Sequence, residues 1–256
     1  MSTIPQKTSY LTVIVPVYNE EESLPRVFSK LSEFINLSTK SVNILFVNDG
    51  STDNSLQLIE QICSKNGEFH FISLYKNQGL STALKAGIDI IESPFIGYID
   101  ADLQTSPMDF NKLLDYCESY ELVTGIRQDR QDSNTKVISS RIANKLRRWV
   151  TNDGVSDTGC PLKIIQKDSA KRIPFFKGMH RFLPALVLLQ EGNVKEVPVS
   201  HFERIEGEAK YHLWNRLLGP FADLIAFSWI KRRYINYTIE KSDQLTLHHT
   251  HASDAI

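Results

Sequence analysis

No run of this 256-residue chain approaches the ~20 consecutive apolar residues that a bilayer-spanning helix needs. The best candidate, LLGPFADLIAFSWI at 217–230, carries Pro220 and Asp223, so the chain is not expected to cross a membrane by itself. The first ten residues, MSTIPQKTSY, lack the apolar core of a secretory signal. Cysteine is scarce: Cys63, Cys117 and Cys160 are few, odd in number and far apart. That spacing excludes a disulfide framework and a cysteine-rich zinc site, and it suits a reducing compartment. Charge of one sign is also missing. The formal net charge is −1, so attraction to an anionic partner must come from local basic clusters. Nucleic acid is not expected as a partner, and no repeat or low-complexity tract is visible.

What remains is an ordinary globular composition, 41% hydrophobic and 23% charged, long enough for one large α/β domain or two small ones. Residues 11–124 alternate two periodicities. LTVIVPV (11–17), VNILFV (42–47), FHFISL (69–74), PFIGYI (94–99) and ELVTG (121–125) read as strands. Between them Leu24, Val27, Phe28, Leu31, Phe34 and Ile35 recur at helical spacing. So do Leu56, Ile59 and Ile62, and then Leu80, Ala83, Leu84, Gly87, Ile88 and Ile91, with a further helix near 108–119. Strands alternating with helices of this length predict a mostly parallel, twisted sheet covered on both faces. Ligands of such sheets bind outside the carboxyl ends of the strands.

Each of the first four strands finishes in residues unsuited to a core. The first runs into Pro16, Tyr18 and Glu20; the second into Asn48, Asp49 and a Gly-Ser-Thr-Asp turn; the third into Lys76, Asn77 and Gly79; the fourth into Asp100 and Asp102. Taken alone, NDGSTD is equally a helix-capping turn, with Ser51, Thr52 or Asp53 as N-cap and Gly50 allowing positive φ. Four polar strand ends in register on one edge exceed what capping requires. Two carboxylates one residue apart repel each other and lose hydration unless something compensates them. Oxygen ligands in this number suit Mg²⁺ or Mn²⁺, which completes its shell with substrate phosphates rather than a full protein cage.

VIVPVYNEEESL, VNDGSTDNS, KNQGLSTALKAG and DADLQTSP, in this order over about residues 10–125, resemble the inverting glycosyltransferases of family 2 with a GT-A fold. The resemblance implies that Pro16, Tyr18, Glu20 and Asp49 line the base and ribose of a nucleotide sugar. It implies that Asp100, Asp102 and Gln104 hold a divalent metal and the donor diphosphate. Where the family pattern usually begins its second motif with Asp, Asn48 stands here.

Four later motifs, GIRQ (125–128), SDTGCPLK (156–163), MHRFLPAL (179–186) and ERIEGEAKY (203–211), resemble the polyprenyl-phosphate sugar transferases, dolichol-phosphate mannosyltransferases among them. Arg204, Gly207 and Lys210 match a pattern that usually carries a serine where Ala209 stands. Two cations around a glycine turn suit phosphate oxygens. A phosphate monoester is largely dianionic at neutral pH and hardly needs a general base; Asp157 is the candidate if one acts, or else a turn-capping acid. Arg127, Lys163, His180 and Arg181 are candidate contacts to acceptor or diphosphate, with His180 as readily a structural histidine.

The expected organisation is an extension at 1–9, a GT-A domain at 10–210, an amphipathic segment at 211–241 and a tail at 242–256 expected to be disordered. VISSRIANKLRRWV (137–150) reads as a basic amphipathic helix, either a membrane contact or a solvated face. Leu213, Trp214, Leu217, Leu218, Phe221, Leu224 and Ile225 form an apolar stripe ahead of Lys231, Arg232 and Arg233. Such a stripe either lies on an anionic membrane or packs on the domain, and Pro220 should kink it. The expectation is therefore a peripheral protein on the cytoplasmic face of a membrane, alone or with a membrane-anchored partner. It moves a hexose from GDP-mannose, or a UDP-sugar such as UDP-glucose, to a polyprenyl phosphate. The rivals are a family 2 enzyme acting on a saccharide hydroxyl in envelope polysaccharide synthesis, and a non-catalytic nucleotide-sugar binder.

Overall fold

The computed structural model of the chain describes residues 8–128, 150–151, 153–202, 215–237 and 240, with the side chains of 215–221 outside that description. The first half is built from β1 (Leu11–Val17), α1 (Leu24–Leu37), β2 (Val42–Asn48), α2 (Ser55–Lys65), β3 (Phe69–Ser73), α3 (Leu80–Ile90) and β4 (Phe95–Tyr98). A 3₁₀ turn (Pro107–Asp109), α4 (Phe110–Leu114) and β5 (Leu122–Arg127) follow. Then come β6 (Lys163–Gln166), α5 (Lys167–Arg172), α6 (Leu183–Leu188), β7 (Val194–Val199) and α7 (Asn215–Arg233).

The seven strands form one sheet in the order β3-β2-β1-β4-β6-β5-β7. β1 to β4 are parallel neighbours, β6 pairs antiparallel with both β4 and β5, and β5 is parallel to β7. The mostly parallel α/β sheet expected from the alternating periods is therefore present, with β6 alone reversed.

Period-2 alternation sorts side chains to two cores. Leu11, Val13, Val15 and Val17 of β1, with Val42, Ile44 and Phe46 of β2, face one core; Ile14, Leu45 and Val47 face the other. On the first side α1, α2 and α4 bury Leu24, Val27, Leu31, Phe34, Ile59, Phe110 and Leu113. On the second, α3, α6 and α7 contribute Ala83, Leu84, Ile88, Leu183, Leu186 and Phe227. Burial on both faces is what a parallel sheet demands, and it explains why the strands read as apolar runs.

Two expectations change. The helix near 108–119 ends at Leu114 and continues as turns, with Tyr116 N–H donating to the Leu113 carbonyl and Ser119 N–H to Tyr116. Asp115, Tyr116, Cys117 and Ser119 are weak helix formers and do not propagate it. Residues 163–199, beyond the alternating region, supply β6, a short and mostly buried strand, and β7, a half-buried strand at the edge of the sheet.

α7 runs from Asn215 to Arg233, so Pro220 does not terminate it. Phe227 is fully buried and stacks on Phe182 at 5.2 Å, and Arg181 pairs with Asp223 at 3.0 Å. Gly178, at φ 88°, makes room for that latch: a Cβ there would stand 2.3 Å from Asp223 Oδ2. Ile225 and Trp229, at 59% and 63% exposure, point the other way, followed by exposed Lys231, Arg232 and Arg233. The predicted packing face and the predicted exposed apolar face thus coexist on one helix. The basic helix expected at 137–150 lies outside the described residues up to 149, as do Leu213, Trp214 and the side chains of Leu217, Leu218 and Phe221. Among the described residues no helix is long and apolar enough to cross a membrane.

Candidate functional site

Because β1 to β4 run parallel, their carboxyl ends share one edge of the sheet, as do those of β5 and β7 and the start of the reversed β6. That edge collects Tyr18–Glu20, Asn48–Asp49, Lys76–Gly79, Asp100–Gln104, Arg127, Asp157 and His201. Asp49 and Asp100 are separated by β1 alone, two strand spacings or about 10 Å.

The β2 end is locked to its neighbours. Asp49 is 4% exposed, and its carboxylate accepts from Asn77 Nδ2 at 3.0 Å, Gln78 N at 2.9 Å and Gly79 N at 2.8 Å. It organises the loop that carries Lys76, Asn77 and Gly79, and a carboxylate with about four acceptor positions retains capacity beyond these three bonds. Gly50, at φ 66°, lets that loop close in: a Cβ there would lie 2.4 Å from the Lys76 carbonyl carbon. Of the residues expected to cap α2, Ser51 and Thr52 instead stitch loops together, while Asp53 does accept from the first N–H of the helix. Ser51 Oγ accepts from Asn19 N, Asn19 Oδ1 accepts from Thr52 N, and Ser55 Oγ accepts from Glu20 N. The N-cap position is Asn54, whose side chain makes no capping bond. Asp53 accepts from Glu21 N and Ser55 N. Burial raises its carboxyl, but the bonds from Ser55 and the backbone outweigh that and hold it below the ordinary value. Pro16 and Tyr18 are half-buried, and Glu20 accepts from Ser23 Oγ at 2.9 Å.

At the β4 end, Asp100 Oδ1 accepts from Tyr98 Oη at 2.6 Å, and Asp102 Oδ1 accepts from Gln104 N at 3.2 Å. Burial first, and the neighbouring Asp100 carboxylate second, push the Tyr98 phenol well above its usual range, so it stays protonated and donates. Leu103 between them sits at φ 50°, a sparsely occupied region for a bulky residue, with its side chain anchored in the core. The bend turns Gln104 toward β7, where its carbonyl accepts from Phe202 N at 2.9 Å and lies 3.1 Å from His201 Nδ1. Arg204 and Lys210 follow Phe202 in sequence and lie outside the described residues.

Asp157 is not presented as a lone base. Arg127 Nε and Nη2 donate to its two oxygens at 2.7 and 2.8 Å, and the Arg127 backbone N–H adds a bond of 3.3 Å. The side chains are 13% and 8% exposed, so this is a buried bidentate ion pair. Lys163, expected as a contact to acceptor or diphosphate, is turned into the protein. It is 3% exposed, and its ammonium donates to the carbonyls of Thr158 and Cys160. Burial lowers its affinity for the proton, against the opposing pull of Cys160, Asp157 and Asp100. His180 is half-buried. Its Nδ1 lies 2.9 Å from Ser81 Oγ, which accepts from Gly178 N, and burial lowers the imidazole to about 3.

Among the described residues no three His, Cys, Asp or Glu side chains cluster as a metal cage. The donor set at this edge is two carboxylates one residue apart, which fits a hard divalent cation completed by diphosphate and water. Tyr98 and His201 are the neighbours that sequence reasoning missed. The first was legible as the residue two before Asp100 on the same strand face; the second depends on β7 reaching the edge.

The family model described as Glycosyl transferase family 2 matches residues 12–174. A mannosyltransferase from Pyrobaculum calidifontis, solved with GDP-Man and Mn²⁺, superposes with a TM-score of 0.63 at 15% identity, covering 92% of this chain and 67% of that one. Glucosyl-3-phosphoglycerate synthase from Mycobacterium tuberculosis, solved with phosphoglyceric acid, gives 0.64 at 14% identity, covering 93% and 85%. The same enzyme with Mn²⁺, UDP-glucose and phosphoglyceric acid gives 0.64 at 14%, covering 93% and 84%. At these identities the likeness is one of fold.

Proposed function

The chain belongs to glycosyl transferase family 2, and on that premise we propose that it moves a hexose from a nucleotide diphosphate sugar to a polyprenyl phosphate with inversion. Mannose from GDP-mannose is favoured over glucose from UDP-glucose. The observation that carries the reading is the shared edge where Asp49 and its loop stand two strands away from Asp100 and Asp102, about 10 Å across the sheet from strand spacing, a span suited to a nucleoside diphosphate. Tyr18, Glu20, Pro16 and the Asp49 loop hold base and ribose; Asp100 and Asp102, with Gln104, hold Mg²⁺ or Mn²⁺ against the diphosphate. A divalent cation held there would supply positive charge opposite the leaving diphosphate. An acceptor phosphate oxygen attacks the anomeric carbon in line while the bond to the diphosphate oxygen breaks. The products are a nucleoside diphosphate and a polyprenyl-phosphate sugar of inverted configuration. Arg204 and Lys210 position the acceptor, and the dianionic phosphate needs no base. The Arg127–Asp157 pair supports the wall between β5 and β6.

The exposed Ile225 and Trp229 beside Lys231, Arg232 and Arg233 support a peripheral position on an anionic membrane, on the cytoplasmic face, alone or with a membrane-anchored partner. The phosphoglyceric acid bound to a protein of this fold favours a second reading, transfer of glucose to a hydroxyl of a small phosphorylated acceptor.

The test is transfer from radiolabelled GDP-mannose and UDP-glucose, with Mg²⁺ or Mn²⁺, onto a short polyprenyl phosphate in detergent and, separately, onto phosphoglycerate. EDTA-sensitive label in the lipid supports the first reading, and label in the water-soluble acceptor alone overturns it. Asp102→Asn should abolish turnover. Lys210→Ala should raise the acceptor KM far more than it weakens donor binding, and equal losses in both would remove its assigned role.

A further inference from the structure

Tyr98 has a hydroxyl that packing does not require. Its ring is 8% exposed, in the core that holds Ile14, Ile96, Leu122 and Ile165, where a phenylalanine ring would serve as well. A buried phenol needs a partner, and this one finds Asp100 Oδ1 at 2.6 Å, within the range of charge-assisted O–H···O⁻ bonds. The two residues are i and i+2 at the end of β4, so the strand period aims both from the same face. Behind Tyr98, β6 places Lys163 directly opposite in antiparallel register, so phenol and buried ammonium stand on that face together. The acidic loop therefore rests on a fixed polar support inside the sheet, and Asp100 leaves the strand with one oxygen already engaged.

We propose that Tyr98 is a positioning residue for divalent-cation binding: its hydroxyl holds the Asp100 carboxylate in the orientation that meets the cation. The proposal rests on the reading of Asp100 and Asp102 as the cation-holding pair. Hydrogen-bonded partners of ligating carboxylates restrict their rotation, and their loss typically lowers metal affinity about 10- to 100-fold.

The experiment uses the full chain as wild type, Tyr98→Phe and Asp102→Asn. Mn²⁺ is titrated by electron paramagnetic resonance in the presence of GDP and, separately, UDP. Binding of each nucleotide with EDTA present is measured by calorimetry. The expected result is a loss of about 10- to 100-fold in Mn²⁺ affinity for Tyr98→Phe, with metal-free nucleotide binding unchanged. Equal Mn²⁺ affinity in Tyr98→Phe and wild type would overturn the proposal while leaving the cation pair standing. A parallel fall in metal-free nucleotide binding would also overturn it, since that marks a general loosening of the edge. If wild type and Asp102→Asn bind Mn²⁺ equally, or neither binds it, the cation reading fails and the proposal with it.

Discussion

Replacing Asp157 by asparagine separates two jobs that a carboxylate at this edge could have. In the structure both of its oxygens take bonds from one guanidinium, at 2.7 and 2.8 Å, and the two side chains are 8% and 13% exposed. Asparagine keeps the volume and one acceptor oxygen, but it turns an amide N–H₂ toward a guanidinium that can only donate. It also takes the bidentate carboxylate away from the Arg127 charge where water hardly reaches. Removing one partner of a buried pair costs about 3–5 kcal/mol, and the retained oxygen puts Asp157→Asn near the lower end, about 3 kcal/mol. For a chain of this size that corresponds to a fall in melting temperature of about 6–12 °C. Circular dichroism melts of wild type, Asp157→Asn, Arg127→Met and the double variant give the answer directly. The double variant should be less destabilised than the sum of the singles, because each single variant loses the same shared interaction. Turnover of Asp157→Asn, measured well below its own melting temperature, should remain within about tenfold of wild type, less than general-base removal costs. A variant that melts with wild type yet loses turnover a thousandfold would refute this reasoning and return Asp157 to the role of base.

Gly50→Ala meets the backbone of Lys76 and Asn77 at 2.4–2.6 Å and adopts φ 66°, which alone costs about 1–2 kcal/mol. It should release the loop held by Asp49, and calorimetry should record nucleotide affinity reduced at least about tenfold; unchanged affinity would show that the loop contributes nothing. His180, lowered from 6.5 to about 3 by burial, binds its proton more readily in the unfolded chain than in the folded one between those values. Its contribution to stability is therefore present above about 6.5 and lost as pH falls toward 3, and urea titrations should find a flatter acid limb in His180→Gln. Burial lowers Lys163 below 10.5, so the folded chain releases this proton first and wild-type stability gains as pH rises toward 10.5. Lys163→Met should lack that gain in denaturant titrations from pH 7 upward, and an identical slope in both proteins would discard the buried-lysine account.

Much of the first half was legible because its signals are local. The run Leu11–Val17 reflects a strand buried on both faces, and the helical spacing of Leu24, Val27, Leu31 and Phe34 reflects a helix burying one. Asp100 and Asp102 stood out as charges at the end of a buried strand. Gly50 was legible as a positive-φ residue, but the approach of Lys76 that makes it indispensable was not, since that contact joins two turns across 26 positions. Asp157 read as a base or a cap because its partner Arg127 lies thirty residues away, on a strand that becomes its neighbour only when β6 reverses beside β5.

The sequence by itself determined the alternation of strands and helices, the two-sided core and the chemistry gathered at the strand ends, since each follows from residue type and spacing within about fifteen positions. Tertiary structure alone decided which of those polar groups are spent on the scaffold. Asp49 holds the 77–79 turn, Asp157 is clamped by Arg127, Lys163 is buried against carbonyls and Tyr98 is aimed at Asp100. Hydrogen bonds and ion pairs act over about 3 Å, so a side chain's role is settled only when the sheet brings distant segments to that distance.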